Sequence, residues 1–317
     1  MSASSIISIQ TSGSTGPARQ FDRDEITWRK SLELESSVFG LDDQERCCVL
    51  ASPAHSLWRY VHFRATQKNC AVLGADPSRL AGLRGIAEFA PTLIYTLPDF
   101  VPLLIRLGAG RLANLRRLLV GGGSWPTGME RLVYSAMPRV EIGLFYGSAE
   151  CSFIGHSSPS QLPWYRLFPG VQVKATSEGE LCVRSEMTAS PEQWVNTGDC
   201  VELCENPMRI RLLGRHARLL RFRGEWLHPE PIEDWIRSRF ALEQCALVAL
   251  GDPPSRIALF YSGELPQSES KDFGDLRGQI ALAWPRLPQI HRFERVPDWP
   301  RLASGKADLE ALRLWAG

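Results

Sequence analysis

Several broad classes of protein are excluded by what this sequence lacks. No apolar run approaches the roughly 18 residues that cross a bilayer, and the opening MSASSIISIQ has neither the basic start nor the long apolar stretch of a signal peptide. The expectation is a cytoplasmic protein without a membrane span. Charge of one sign is absent as well: 36 Lys and Arg stand against 35 Asp and Glu, a formal net charge of +1. That balance gives no general pull toward nucleic acid or anionic lipid, so partners must be argued from sites. None of the eight cysteines falls in a CxxC pair, which leaves reduced, mostly buried thiols as the expectation. Internal repeats and sustained low-complexity tracts are missing too.

What is present is a globular composition, with 44% hydrophobic and 22% charged residues over 317 positions, enough for more than one domain. SIISIQ alternates and is β-branched, so it reads as a strand, and it runs into Thr11-Ser12-Gly13-Ser14-Thr15-Gly16, which reads as a phosphate-type loop. A helix is expected from Arg23 to Phe39. The strands CCVLASP, CAVLGAD, TLIYTLP, RRLLVGGG and VEIGLFYG then alternate with helical stretches such as PDFVPLLIRL and TGMERLVYSAM. That alternation predicts a mostly parallel sheet flanked by helices. After Pro163 the short alternating segments GVQVKAT, GELCVRS, DCVELCE and MRIRLLG predict a small antiparallel β section. Beyond Gly214 a smaller α+β domain is expected. The α/β chain is thus divided into 1–213, comprising an α/β part over 1–162 and the β section over 163–213, and a C-terminal domain over 214–317.

Chemistry concentrates where Gly, Ser and Thr follow strands, because backbone N–H groups and hydroxyls converge there on an anion and glycine permits close approach. Thr11 to Gly16 is such a place, although it lacks the GK[ST] ending of the Walker type. In order along the chain come Gly121-Gly122-Gly123, then Phe145-Tyr146-Gly147-Ser148-Ala149-Glu150, Asn196-Thr197-Gly198-Asp199, Gly214-Arg215 and Ser304-Gly305-Lys306.

Taken together and in this order, these segments resemble the core motifs of the adenylate-forming superfamily, which includes acyl- and aryl-CoA synthetases, the adenylation domains of peptide synthetases, and luciferases. The resemblance implies ATP-dependent activation of a small carboxylic acid, aryl or fatty, as an acyl adenylate with release of pyrophosphate. It implies ATP and Mg²⁺ as cofactors, and CoA or a phosphopantetheine on an acyl carrier protein as thiol acceptor. By the same likeness Thr11, Ser12, Gly13, Ser14, Thr15 and Gly16 hold phosphates, with Arg19 in place of the usual closing lysine. The run Gly121, Gly122, Gly123 borders adenine and the acyl group, and Tyr146 stacks on adenine beside Gly147 and Ser148. Glu150 binds Mg²⁺ as a hard oxygen donor, Asp199 accepts from the ribose hydroxyls, Arg215 reaches the ribose, and Gly224 lines the thiol entry. Lys306 bridges the carboxylate and the α-phosphate. His55, in SPAHSLW, either lines the acyl pocket or simply starts a helix.

Three positions depart from the family pattern: Arg19, Ala149 where a hydroxyl is usual, and Ala217 where the hinge residue is usually acidic. The family also has a whole subdomain ahead of the phosphate loop, where only ten residues stand here. Uncovered sheet edges and apolar faces are therefore expected, and with them a homodimer or a partner subunit. A non-catalytic nucleotide- or acyl-binding partner, or half of an enzyme completed by another chain, is the alternative reading.

Overall fold

The computed structural model of the protein describes residues 6–10, 20–222, 225–240, 242–251, 256–264, 273–285, 287–301 and 307–315. Strand β1 (Ile6–Gln10) pairs antiparallel with β2 (Gln20–Asp24). Helix α1 (Glu25–Phe39) begins two residues later than the sequence pattern placed it. The reason is local: the Asp24 carboxylate accepts the N–H of Ile26 at 2.9 Å and so caps the helix, which leaves Arg23 on the strand.

Strand and helix then alternate: β3 (Cys47–Leu50), α2 (Ser56–Lys68), β4 (Val72–Ala75), α3 (Leu80–Phe89), β5 (Leu93–Thr96), α4 (Val101–Arg111), β6 (Arg117–Gly121), α5 (Met129–Ala136) and β7 (Glu141–Ser148). The pairs β3/β4, β3/β5, β5/β6 and β6/β7 are all parallel. Cys47, Cys48, Val49 and Leu50 are each 0% exposed, as expected of a parallel strand covered on both faces. Beneath them lies a buried pair: Arg64 Nη1 stands 3.2 Å from the Glu35 carboxylate, which also accepts the Tyr60 hydroxyl at 2.8 Å.

The expected antiparallel section is continuous with this sheet. β8 (Ser152–Ser157), β9 (Trp164–Leu167), β10 (Gln172–Ala175), β11 (Glu180–Arg184), β12 (Val195–Glu205) and β13 (Met208–Arg215) extend it, and among the described residues eleven strands run in the order β10-β11-β12-β13-β9-β8-β7-β6-β5-β3-β4. The remainder comprises β14 (Leu220–Phe222), β15 (Glu225–Leu227), α6 (Pro229–Arg239), β16 (Gln244–Leu250), β17 (Arg256–Ser262), α7 (Phe273–Ala283), β18 (Ile290–Arg295) and α8 (Leu309–Trp315). Here β16 and β17 are antiparallel while β17 and β18 are parallel.

The chain divides into two compact units. One holds Met1–Thr197 with Val201–Leu212, the other Gly198–Cys200 with Leu213–Gly317. The first unit has its core around β3, β5 and β6. The second has one cluster around Ile232, Ile236, Phe240, Leu259 and Ile280, and another around Val248, Phe260, Val296 and Leu312.

Candidate functional site

In the first unit the carboxyl ends of β3, β5, β6 and β7 lie side by side. The chain leaves β3 for β4 on one flank and returns to β5 on the other. In open α/β sheets this reversal opens a crevice at the strand ends, where ligands bind. His55, Leu97 and Gly122 are the residues that follow these strands. His55 caps α2, its Nδ1 accepting the Leu57 N–H at 3.1 Å, so the helix-start reading is correct. Its other nitrogen lies close to the glycine run: a methyl group placed on Gly122 would lie 3.7 Å from His55 Nε2 and 3.7 Å from Leu97 Cδ2. Gly122 has φ +79°, a conformation that suits glycine. Gly121 ends β6, and Gly123 packs over Pro98. The structure thus brings His55 and the glycine run together.

The Tyr146–Glu150 segment forms the end of β7 and the turn into β8. Tyr146 is 8% exposed, its ring centroid 6.2 Å from that of Tyr165. Gly147 admits no side chain, because a Cβ there would fall 2.0 Å from the Ser152 carbonyl oxygen. Ser148 Oγ accepts the Cys151 N–H at 3.1 Å, and Ser152 sits at φ +60°. The Glu150 carbonyl accepts the Ala189 N–H at 2.8 Å, while its side chain is half-buried. Below the turn lies Arg23, 2% exposed, which donates to the Ala149 carbonyl at 2.7 Å, to Thr27 Oγ1 at 3.2 Å and to the Met187 carbonyl. Burial lowers its pKa to about 10, against the opposing pull of Cys151 and Glu150. Among the described residues no group of three His, Cys, Asp or Glu side chains gathers as a metal cage. A half-buried lone carboxylate suits Mg²⁺, which usually keeps water and substrate phosphates as its other ligands.

In the second unit Asp199 Oδ1 accepts from Arg215 Nε at 2.8 Å. The Arg215 N–H donates to Glu230 Oε1 at 3.0 Å, and burial raises the Glu230 carboxyl while Arg218 opposes the shift. Arg218 grips both oxygens of Glu233 at 2.7 and 2.8 Å, and the Leu247 N–H reaches Glu233 Oε1 at 2.6 Å. The segment carrying Arg215 is therefore tied to the first two turns of α6 by two carboxylates. Sequence reasoning missed Glu230 and Glu233. The available signal was a pair of acids three residues apart, just past a Pro at the start of a helix, downstream of the basic run RHARLLRFR. Thr11, Ser12, Gly13, Ser14, Thr15, Gly16, Arg19, Gly224, Ser304, Gly305 and Lys306 lie outside the described residues.

No family model matches the chain. It is 22% identical to the uncharacterised acyl-CoA ligase YhfT of Bacillus subtilis, over 96% of this chain and 67% of that protein. To the 4-coumarate-CoA ligase-like 4 of Oryza sativa subsp. japonica it is 22% identical, over 94% of this chain and 60% of that one. The chain thus spans about two thirds or less of the length of the curated relatives it matches. Among solved structures, the O-succinylbenzoate CoA synthetase MenE of Bacillus subtilis, in complex with ATP and magnesium ion, superposes with a TM-score of 0.80 at 19% identity, covering 97% of this chain and 69% of that one. The anthranilate CoA ligase AuaEII, in complex with anthranoyl-AMP, gives 0.75 at 20% identity, covering 98% and 67%.

Proposed function

We propose, from the premise that the chain has the fold of the adenylate-forming superfamily, that it activates a carboxylic acid with ATP and passes the acyl group to a thiol. The observation that carries this reading is the crevice at the parallel strand ends, where His55, Leu97 and Gly122 meet and where β6 pairs with β7, the strand that leads into the Glu150 turn. The neighbours crystallised with ATP and magnesium or with an acyl adenylate support the choice of ligand.

In the proposed first step a carboxylate oxygen of the acid attacks the α-phosphorus of ATP, the bond from that phosphorus to the bridging oxygen breaks, and pyrophosphate leaves. Thr11, Ser12, Ser14 and Thr15 would hold the phosphates with hydroxyls and backbone N–H groups, and Lys306 would bridge the two anions whose approach the reaction requires. Glu150 would hold Mg²⁺, and the chemistry such an ion would supply there is positive charge to offset that of the departing pyrophosphate. Asp199 would accept from the ribose hydroxyls, its orientation fixed by Arg215. The contribution asked of these residues is electrostatic stabilisation of the charge that develops in the transition state. His55 and the glycine run would border the acid. In the second step the thiol of CoA or of a carrier-bound phosphopantetheine attacks the acyl carbonyl and AMP leaves. A second reading, a non-catalytic or half-enzyme partner subunit, draws on the departures at Arg19, Ala149 and Ala217.

The test is exchange of radiolabelled pyrophosphate into ATP by the purified chain, over a panel of fatty, aryl and amino acids with Mg²⁺, followed by addition of CoA. Exchange with one class of acid is the expected result. Binding of ATP with no exchange for any acid would favour the second reading.

A further inference from the structure

We infer that Arg23 is a positioning residue for Glu150, an assignment that rests on the proposed role of Glu150 at the metal. A guanidinium buried to 2% exposure is costly for a fold, and an apolar side chain in its place would be the cheaper solution if packing were all that mattered. The contacts say what it does instead. Its donors reach the Ala149 carbonyl at 2.7 Å, the Met187 carbonyl, and Thr27 Oγ1 at 3.2 Å. Ala149 immediately precedes Glu150. Met187 lies two residues before Ala189, whose N–H holds the Glu150 carbonyl at 2.8 Å. One planar side chain therefore ties together the two segments that flank Glu150.

The turn needs such support. Ser152 has φ +60°, a conformation costly for a residue with a Cβ and maintained only when the surroundings over-determine it. Ser31 supplies a second tie from the same side, its Oγ 2.8 Å from Ser152 Oγ, and Ser148 Oγ takes the Cys151 N–H. Arg23 and Ser31 belong to β2 and α1, the elements that directly follow the Ser/Thr-rich segment in sequence. Arg23 thus fixes the Glu150 turn to the strand that leads away from the expected phosphate loop. Ala149 lacks the hydroxyl that usually helps at this place, and its carbonyl is the group Arg23 takes.

Arg23→Met and Arg23→Lys, measured beside the wild-type chain, test the assignment by two readouts. The first is amide hydrogen exchange. In Arg23→Met the Cys151 and Ala189 amides are expected to exchange about tenfold faster or more, with β6 amides unchanged, because local opening is released without global unfolding. The second is the Mg²⁺ concentration for half-maximal pyrophosphate exchange, expected to rise about tenfold in Arg23→Met, the lower end of what loss of a residue supporting a metal ligand costs, and less in Arg23→Lys. The sign is decisive: mere removal of a positive charge near Glu150 would lower the Mg²⁺ requirement. A lowered requirement, or unchanged protection of Cys151 and Ala189, overturns the assignment. Should Arg23→Met fail to fold, Thr27→Val and Ser31→Ala take its place, with the same direction of change in both readouts at about two- to threefold, the scale of one neutral hydrogen bond; no change in either overturns it. If the wild-type chain shows no exchange with any acid, the functional reading fails by itself, and the hydrogen-exchange comparison still decides the role of Arg23.

Discussion

Asp199 and Arg215 hold each other at 2.8 Å, so replacing one member alters both the proposed ribose acceptor and the orientation of the cation. Asp199→Asn is expected to raise the KM for ATP by about tenfold, the weight of one charge-assisted hydrogen bond, while the rate at saturating ATP falls less; initial rates against ATP concentration check this. Lys306→Ala is expected to lower adenylate formation by roughly 10²-fold or more, the scale of one preorganised electrostatic donor, and a near-normal pyrophosphate exchange would refute it. A third expectation concerns pH. Burial, helped by Arg166, holds the His156 imidazole below its usual value. The unfolded chain then takes up a proton that the folded chain resists, so stability falls as pH drops below the ordinary histidine range and the loss levels off once the folded form is protonated as well. Urea unfolding between about pH 7.5 and 5.5 should show a shallower dependence in His156→Gln. Glu150, Asp199 and Arg215 can be singled out in the sequence because each stands in a motif of the resembled family, and the structure sets Asp199 against Arg215. Arg23, Glu230 and Glu233 cannot be, because their partners, the Ala149 and Met187 carbonyls, the Arg215 N–H and the Arg218 guanidinium, lie outside the helical or strand spacing that a sequence pattern records.

The elements read well where periodicity was strong and poorly where one side chain decided a boundary. The buried runs CCVL and LIYT could be placed as strands because bracketing Gly, Pro and Asp limit their length. The helix pattern takes in Arg23 and Asp24, the last two residues of β2, since nothing in QFDRD marks Asp24 as a cap until Ile26 is seen donating to it. β8 and β9 passed unnoticed: SFIGHS and WYRL are short, and their pairing partners, β7 and β13, are fixed by tertiary packing. At this scale the β7/β8 approach is the most exacting feature. Gly147→Ala would drive a Cβ to 2.0 Å from the Ser152 carbonyl, which no rotamer can relieve. Destabilisation of about 3 kcal/mol is expected, read as a fall in denaturation midpoint, and activity should drop with it because the same turn carries Glu150.

For the molecule as a whole, the arrangement of strands and helices was legible and its continuity was not: the antiparallel strands after Pro163 join the parallel ones in one sheet, which alternation alone does not dictate. Ligand binding should register globally. ATP with Mg²⁺ and a matching acid is expected to raise the melting temperature, since a ligand at 100 times its dissociation constant adds about 2.7 kcal/mol to the folded state, and a thermal-shift screen over acids would rank them before any kinetics. The second unit also borrows Gly198–Cys200 from the middle of β12. Scissors applied at any one point in the gene cannot therefore release it entire: a fragment beginning at Leu213 would keep Arg215 and forfeit the aspartate that aims it, and a failure of that fragment to bind nucleotide would say nothing about the intact chain.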